Sequence, residues 1–195
     1  MSKLLRFNKS TGQLFLKGAN GSEQIVVPPP VINKTVFILI DASGSMAGKK
    51  FEDAKQGALD FGLSCINKHY EVGVIAFSSK ASATTPTKDA SALQGKISRL
   101  PFAGQSTYLA SALRSTAKGK PAYVLVVTDG HVSDDTESLN IAEGLKQNGT
   151  EILTIGTDDA DTDFLKRLAS RSDLGVKVAS VNLAQAITDC GRLLR

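Results

Sequence analysis

Asp41, Ser43 and Ser45 occupy alternate positions in the stretch TVFILIDASGSMAGKKFEDA, residues 35 to 54, where an apolar run gives way to a basic, amphipathic segment. A carboxylate and two hydroxyls on such a turn suit three chemistries: phosphate binding, serine nucleophilicity or metal coordination. Phosphate binding fits poorly. A P-loop needs four residues between its glycines, then Lys and a Ser or Thr, whereas Gly44 and Gly48 are separated by three residues and Lys49 is followed by Lys50. Asp41 would also face the incoming phosphates. A dehalogenase-type phospho-acceptor wants a second Asp two residues after the first, and position 43 is Ser. A nucleophile elbow needs Gly-x-Ser-x-Gly, but Asp41 stands two before Ser43 and Ala47 two after Ser45. Of the two histidines, His69 falls at the amino end of a predicted strand, away from the turn, and His131 reads as an exposed loop residue.

Metal coordination explains more residues at once. Magnesium takes six oxygens at about 2.1 Å and keeps some water. Asp41, Ser43 and Ser45 at i, i+2 and i+4 can direct three oxygens inward from an irregular turn. AGQSTYL supplies Thr107 at the mouth of a predicted helix, and VVTDG supplies Asp129 at the end of a predicted strand. Two carboxylates formally neutralise a divalent ion, while hydroxyls are weak, neutral donors, so the ion stays electrophilic toward an added carboxylate. Ligands from three separate loops meet only in the folded chain.

The elements that must position these residues alternate. TVFILI and AYVLVV (122–127) are unbroken apolar runs, as expected of strands buried on both faces. EVGVIAF (71–77), TEILTIG and GVKVAS complete the strand set, with ASATTP (81–86) as a short edge strand ended by Pro86. Phe51, Ala54, Ala58, Phe61 and Cys65 recur at helical spacing over residues 47 to 68. Further helices are expected at DASALQGKISRL, capped by Asp89 or Ser91, at residues 107 to 119, at TESLNIAEGLKQNG, at DTDFLKRLAS with Asp161 as cap, and at NLAQAITDCGRLL. Such alternation implies right-handed crossovers and a mostly parallel sheet with helices on both faces. The link from 77 to 81 is too short for a crossover, so the 81–86 strand pairs antiparallel. Ligands of open sheets bind beyond the strands' carboxyl ends, where Asp41 and Asp129 fall. Residues 1 to 34 are set apart: Leu14–Leu16 and Ile25–Val27 read as a β-hairpin, followed by Pro28 to Pro30 as a stiff spacer.

DASGSM, GQSTYL and VTDG, in that order, resemble the three segments of the metal-ion-dependent adhesion site of von Willebrand factor A domains, of a soluble, stand-alone prokaryotic type. The resemblance covers about residues 34 to 195. It implies an α/β, Rossmann-like open twisted sheet of six strands in the order 3-2-1-4-5-6, the third antiparallel. Here the N-terminal hairpin extension (1–34) precedes the main domain (35–195). It also implies roles: Ser43, Ser45 and Thr107 as direct ligands through their hydroxyls, Asp41 and Asp129 as carboxylates that hold the ion mainly through water. The expected cofactor is Mg2+, with Mn2+ or Ca2+ as alternatives.

The expected function is therefore a metal-dependent protein-binding module, not an enzyme, whose ion accepts an Asp or Glu carboxylate from a partner protein. The alternatives are a regulatory or substrate-carrying subunit beside an AAA+ ATPase, chelatase or stress-resistance complex, and, less favoured, a Mg2+-dependent phosphatase. Lys49 and Lys50 read as exposed helix lysines. Asp134 and Asp135 read as a solvated helix start rather than a second metal site, and Asp158, Asp159, Asp161 and Asp163 as capping and solvating residues. The chain has 195 residues, a net charge of +4, 42% hydrophobic and 6% aromatic residues. Its basic residues are scattered, which argues against nucleic acid. No stretch reads as a signal peptide or membrane span, and Cys65 and Cys190 read as buried free thiols. A soluble cytoplasmic protein is expected.

Overall fold

The computed structural model describes residues 4–8, 13–17, 23–26 and 35–192, except 103, 105, 117–121 and 158–159. The chain divides into two compact units, Met1–Ile32 and Asn33–Arg195. The first holds three short antiparallel strands, β1 (Leu4–Asn8), β2 (Gln13–Lys17) and β3 (Glu23–Val26). β2 and β3 pair with Phe15 opposite Ile25, as the hairpin pattern required. The hairpin is incomplete as a description, because β1 adds a third strand with Leu5 opposite Leu16. The spacer Pro28–Pro30 lies outside the described residues.

The larger unit begins with β4 (Thr35–Asp41), followed by α1 (Lys49–Asn67), β5 (Glu71–Phe77), β6 (Ala81–Ala83), α2 (Ala90–Ser98) and α3 (Ala110–Thr116). Then come β7 (Ala122–Thr128), α4 (Asp135–Gln147), β8 (Glu151–Thr157), α5 (Thr162–Leu168), β9 (Gly175–Val178) and α6 (Leu183–Asp189). The sheet order is β6-β5-β4-β7-β8-β9, with only β6 antiparallel. This is the six-stranded α/β order that the resemblance implied.

The unbroken apolar run of β4 is explained by its two covered faces. Val36, Ile38 and Ile40 enter one core with Phe51, Ala58 and Phe61 of α1 and Leu183 and Ile187 of α6. Phe37 and Leu39 enter another with Leu109, Leu113 of α3, Ala142 of α4 and Phe164 of α5. Side chains alternate across a strand, so neither face tolerates polarity. The edge is handled differently. Pro86 has no N–H to give a ladder, and β6 stops at Ala83. Pairing resumes at Thr87, which exchanges both backbone bonds with Val72 at 2.9 Å. In register, Ile40 lies opposite Val127 and Asp41 opposite Phe77, so the carboxyl ends of β4, β5 and β7 finish level. Among the described residues no helix is long and apolar enough to cross a membrane.

Candidate metal centre

Asp41 closes β4 and is fully buried. Its carboxylate is held at both oxygens: the Ser43 N–H donates to Oδ1 at 2.9 Å and the Thr128 hydroxyl to Oδ2 at 2.6 Å. Burial pushes the Asp41 carboxyl above its usual range; the bonds from Thr128 and Ser43 oppose that, and the charge of Asp129 adds to it. After Asp41 the chain makes a single 3-10 turn, Gly44–Met46, whose buried Met46 anchors it to the core. That turn brings Ser43 Oγ and Ser45 Oγ to 3.1 Å, and Ser45 Oγ donates to Asp129 Oδ1 at 2.6 Å. Neighbouring ligands on an octahedron of radius 2.1 Å lie about 3.0 Å apart. The two serine hydroxyls are already spaced as one edge of such an octahedron.

The second loop is fixed to the other two by its backbone. Gly104, at φ 63°, donates its N–H to the Ala42 carbonyl at 3.0 Å. A Cβ on Gly44 would lie 3.2 Å from the Gly104 oxygen, so the two loops nearly touch. The carbonyl of buried Thr107 accepts from Ser133 N at 2.7 Å, which ties it to the loop after Asp129. α3 does not start at Thr107, as its sequence suggested, but at Ala110. The reason is Asp134, whose carboxylate accepts from the N–H groups of Leu109 and Ala110 at 2.9 Å each and from the Ser138 hydroxyl at 3.0 Å. Thr107 is thereby left on an irregular segment ahead of the helix.

Asp134 does stand at the start of α4, with Asp135 exposed beside it, but the half-buried carboxylate of Asp134 is bonded to the backbone at the start of α3 and ties two elements together. Lys50 departs from expectation as well. Lys49 is exposed, pairing with Asp53 at 2.8 Å. Lys50 Nζ instead donates to Asp129 Oδ2 at 2.7 Å and to the Ser45 carbonyl at 3.2 Å. Asp161 caps α5 by accepting from Asp163 N and Phe164 N. Asp158 and Asp159 lie outside the described residues. His69 is an exposed turn residue with φ 67° at the amino end of β5, and His131 is exposed.

Asp41, Ser43, Ser45 and Asp129 therefore form one hydrogen-bonded chain; Thr107 is bonded through its carbonyl to Ser133, in the loop that follows Asp129. Among the described residues no group of three or more His, Cys, Asp and Glu is arranged to hold a metal. The donors here are two buried carboxylates and hydroxyls, an all-oxygen set suited to a hard cation rather than to a thiolate or imidazole site.

The von Willebrand factor type A domain model matches residues 35–189. The chain belongs to this family. Domains of the family are metal-dependent protein-interaction modules, in general adhesive rather than enzymatic. A curated relative, the mouse (Mus musculus) collagen alpha-4(VI) chain, is 28% identical over an alignment of 153 residues that covers 69% of this chain and 6% of the collagen chain. This chain thus spans a small fraction of that relative. Among solved structures, the pilus adhesin SpaC of Lactobacillus rhamnosus GG superposes with a TM-score of 0.72 at 16% identity, over 92% of this chain and 32% of SpaC. The von Willebrand factor domain of the pilus tip protein Mfa5 from Porphyromonas gingivalis gives 0.69 at 14% identity, over 83% and 95%. Proximal thread matrix protein 1 of the mussel byssus, with zinc in its adhesion-site motif, gives 0.67 at 17% identity, over 83% and 45%. At these identities the structures show a shared fold.

Proposed function

We propose that residues 35–195 form a metal-dependent protein-binding domain, preceded by an extension over residues 1–34. Ser43, Ser45 and Thr107 are its direct ligands, Asp41 and Asp129 hold the ion mainly through water, and Mg2+ is the resident ion, with Mn2+ or Ca2+ as substitutes. The bound ion supplies an electrophilic position for an Asp or Glu carboxylate of a partner protein. The observation that carries this reading is the linked run Asp41–Ser43–Ser45–Asp129, with its serine hydroxyls 3.1 Å apart at the carboxyl ends of β4 and β7. A non-enzymatic role belongs to the same proposal, since water activation needs a positioned base and domains of the family are in general adhesive. Cytoplasmic residence belongs to the same proposal, supported by two buried cysteines that are both free.

Affinity capture from the native source, run with Mg2+ and with EDTA, tests it. A protein retained by the wild type in Mg2+ should be lost in EDTA and with Thr107→Ala or Asp41→Ala. Retention that is indifferent to chelator and to both substitutions refutes the metal-dependent reading.

A further inference from the structure

We propose that Lys50 is an internal counter-cation of the metal centre: its ammonium competes with the divalent ion for Asp129 and thereby sets how tightly the ion is held. The proposal rests on the metal-site reading above. Both oxygens of Asp129 are engaged, Oδ1 by the hydroxyl of Ser45 at 2.6 Å and Oδ2 by Lys50 Nζ at 2.7 Å. The side chain of Asp129 is fully buried, whereas that of Lys50 is 31% exposed. A buried carboxylate next to a second one, Asp41, needs a positive charge close by. Lys50 delivers that charge from the first turn of α1, directly after the loop that carries Ser43 and Ser45. Its second bond, to the Ser45 carbonyl, fixes the ammonium against that same loop.

An ion bound among these oxygens brings two positive charges within a few ångströms of the ammonium. The two cations repel each other in a partly dehydrated place where screening is weak. Arrival of the ion therefore displaces Lys50 toward solvent, which its long, flexible stem and partial exposure permit. Two consequences follow. The ion binds more weakly and exchanges more readily than the oxygen donors alone would dictate. The metal-free protein stays folded because Asp129 keeps a cation in either state. Lys49 provides the control, since it removes the same charge one residue away but is 82% exposed and pairs with Asp53.

Mn2+ binding to the full chain, followed by the loss of the free-ion signal in electron paramagnetic resonance, tests this on wild type, Lys50→Met, Lys50→Arg and Lys49→Met. Lys50→Met should bind Mn2+ roughly tenfold tighter or more, the coupling usual for short charge pairs with a buried member. Lys50→Arg and Lys49→Met should stay near the wild type. In parallel, Lys50→Met should melt below the wild type in EDTA, and the deficit should close in saturating Mg2+, because the ion then takes over the role of the ammonium. Binding by the wild type with no gain in Lys50→Met, or an equal gain in Lys49→Met, overturns the proposal and leaves the metal site standing. Silence in all four proteins overturns the metal site itself. Binding by Lys50→Met alone supports the proposal in its strongest form.

Discussion

Replacing Asp134 with Ala tests whether a residue outside the candidate ligand set builds the site. The substitution strips the acceptors from two backbone N–H groups, Leu109 and Ala110, and from the Ser138 hydroxyl. Losing a capping side chain costs about 0.5–2 kcal/mol. Hydrogen bonds to a charged group contribute about 1.5–3 kcal/mol each. Asp134 is half-buried, so water recovers part of the loss. The sum is about 3 kcal/mol, read by urea denaturation in EDTA. For a domain of this size that lowers Tm by roughly 6–12 °C. Asp134→Asn keeps one acceptor and should lose about half as much. Asp134→Ala should also weaken Mn2+ binding, because Thr107 stands two and three residues before the N–H groups that Asp134 holds. A stability change under about 0.5 kcal/mol would falsify the capping account. A large stability loss with Mn2+ affinity intact would refute the claim that Asp134 positions Thr107.

Thr128→Val replaces the buried hydroxyl that donates to Asp41 Oδ2 at 2.6 Å by a methyl of similar shape. The orphaned carboxylate oxygen should cost about 1–3 kcal/mol in urea denaturation, with Thr128→Ser recovering most of it; equal stability of all three proteins contradicts this. Burial pushes the Cys65 thiol up to about 12 and the Cys190 thiol up to about 11. Thiols react as thiolates, so the native protein at pH 8 should resist a disulfide reagent that titrates both residues in urea. Prompt native labelling of either cysteine argues against the packing of α6 and the following turn on α1.

The main sheet could be read from the chain because β4 and β7 carry their burial in composition: no polar residue interrupts Val36–Ile40 or Val124–Val127, as both faces are covered. The positions of Asp41 and Asp129 beside strand ends are legible for a related reason, since they follow from strand placement. What could not be read was tertiary. Thr107 reads as helical because the run after it, LASALR, is rich in good helix formers, and the carboxylate of Asp134, more than twenty residues later, holds the N–H groups at the actual start of α3 near Ala110. Lys49 and Lys50 are alike in local sequence. What separates them is a contact across 79 positions that depends on the β4–β7 register. The strand Leu4–Asn8 is not legible in the sequence because LLRFN lacks a clean alternation of apolar and polar residues.

The contacts that join the serine turn and Asp41 to the 128–129 segment span 84 and 87 positions. A growing polypeptide still short of residue 129 owns only half of this cradle. An ion held there would therefore load late in biogenesis, as a seal on a finished domain rather than a template for its assembly.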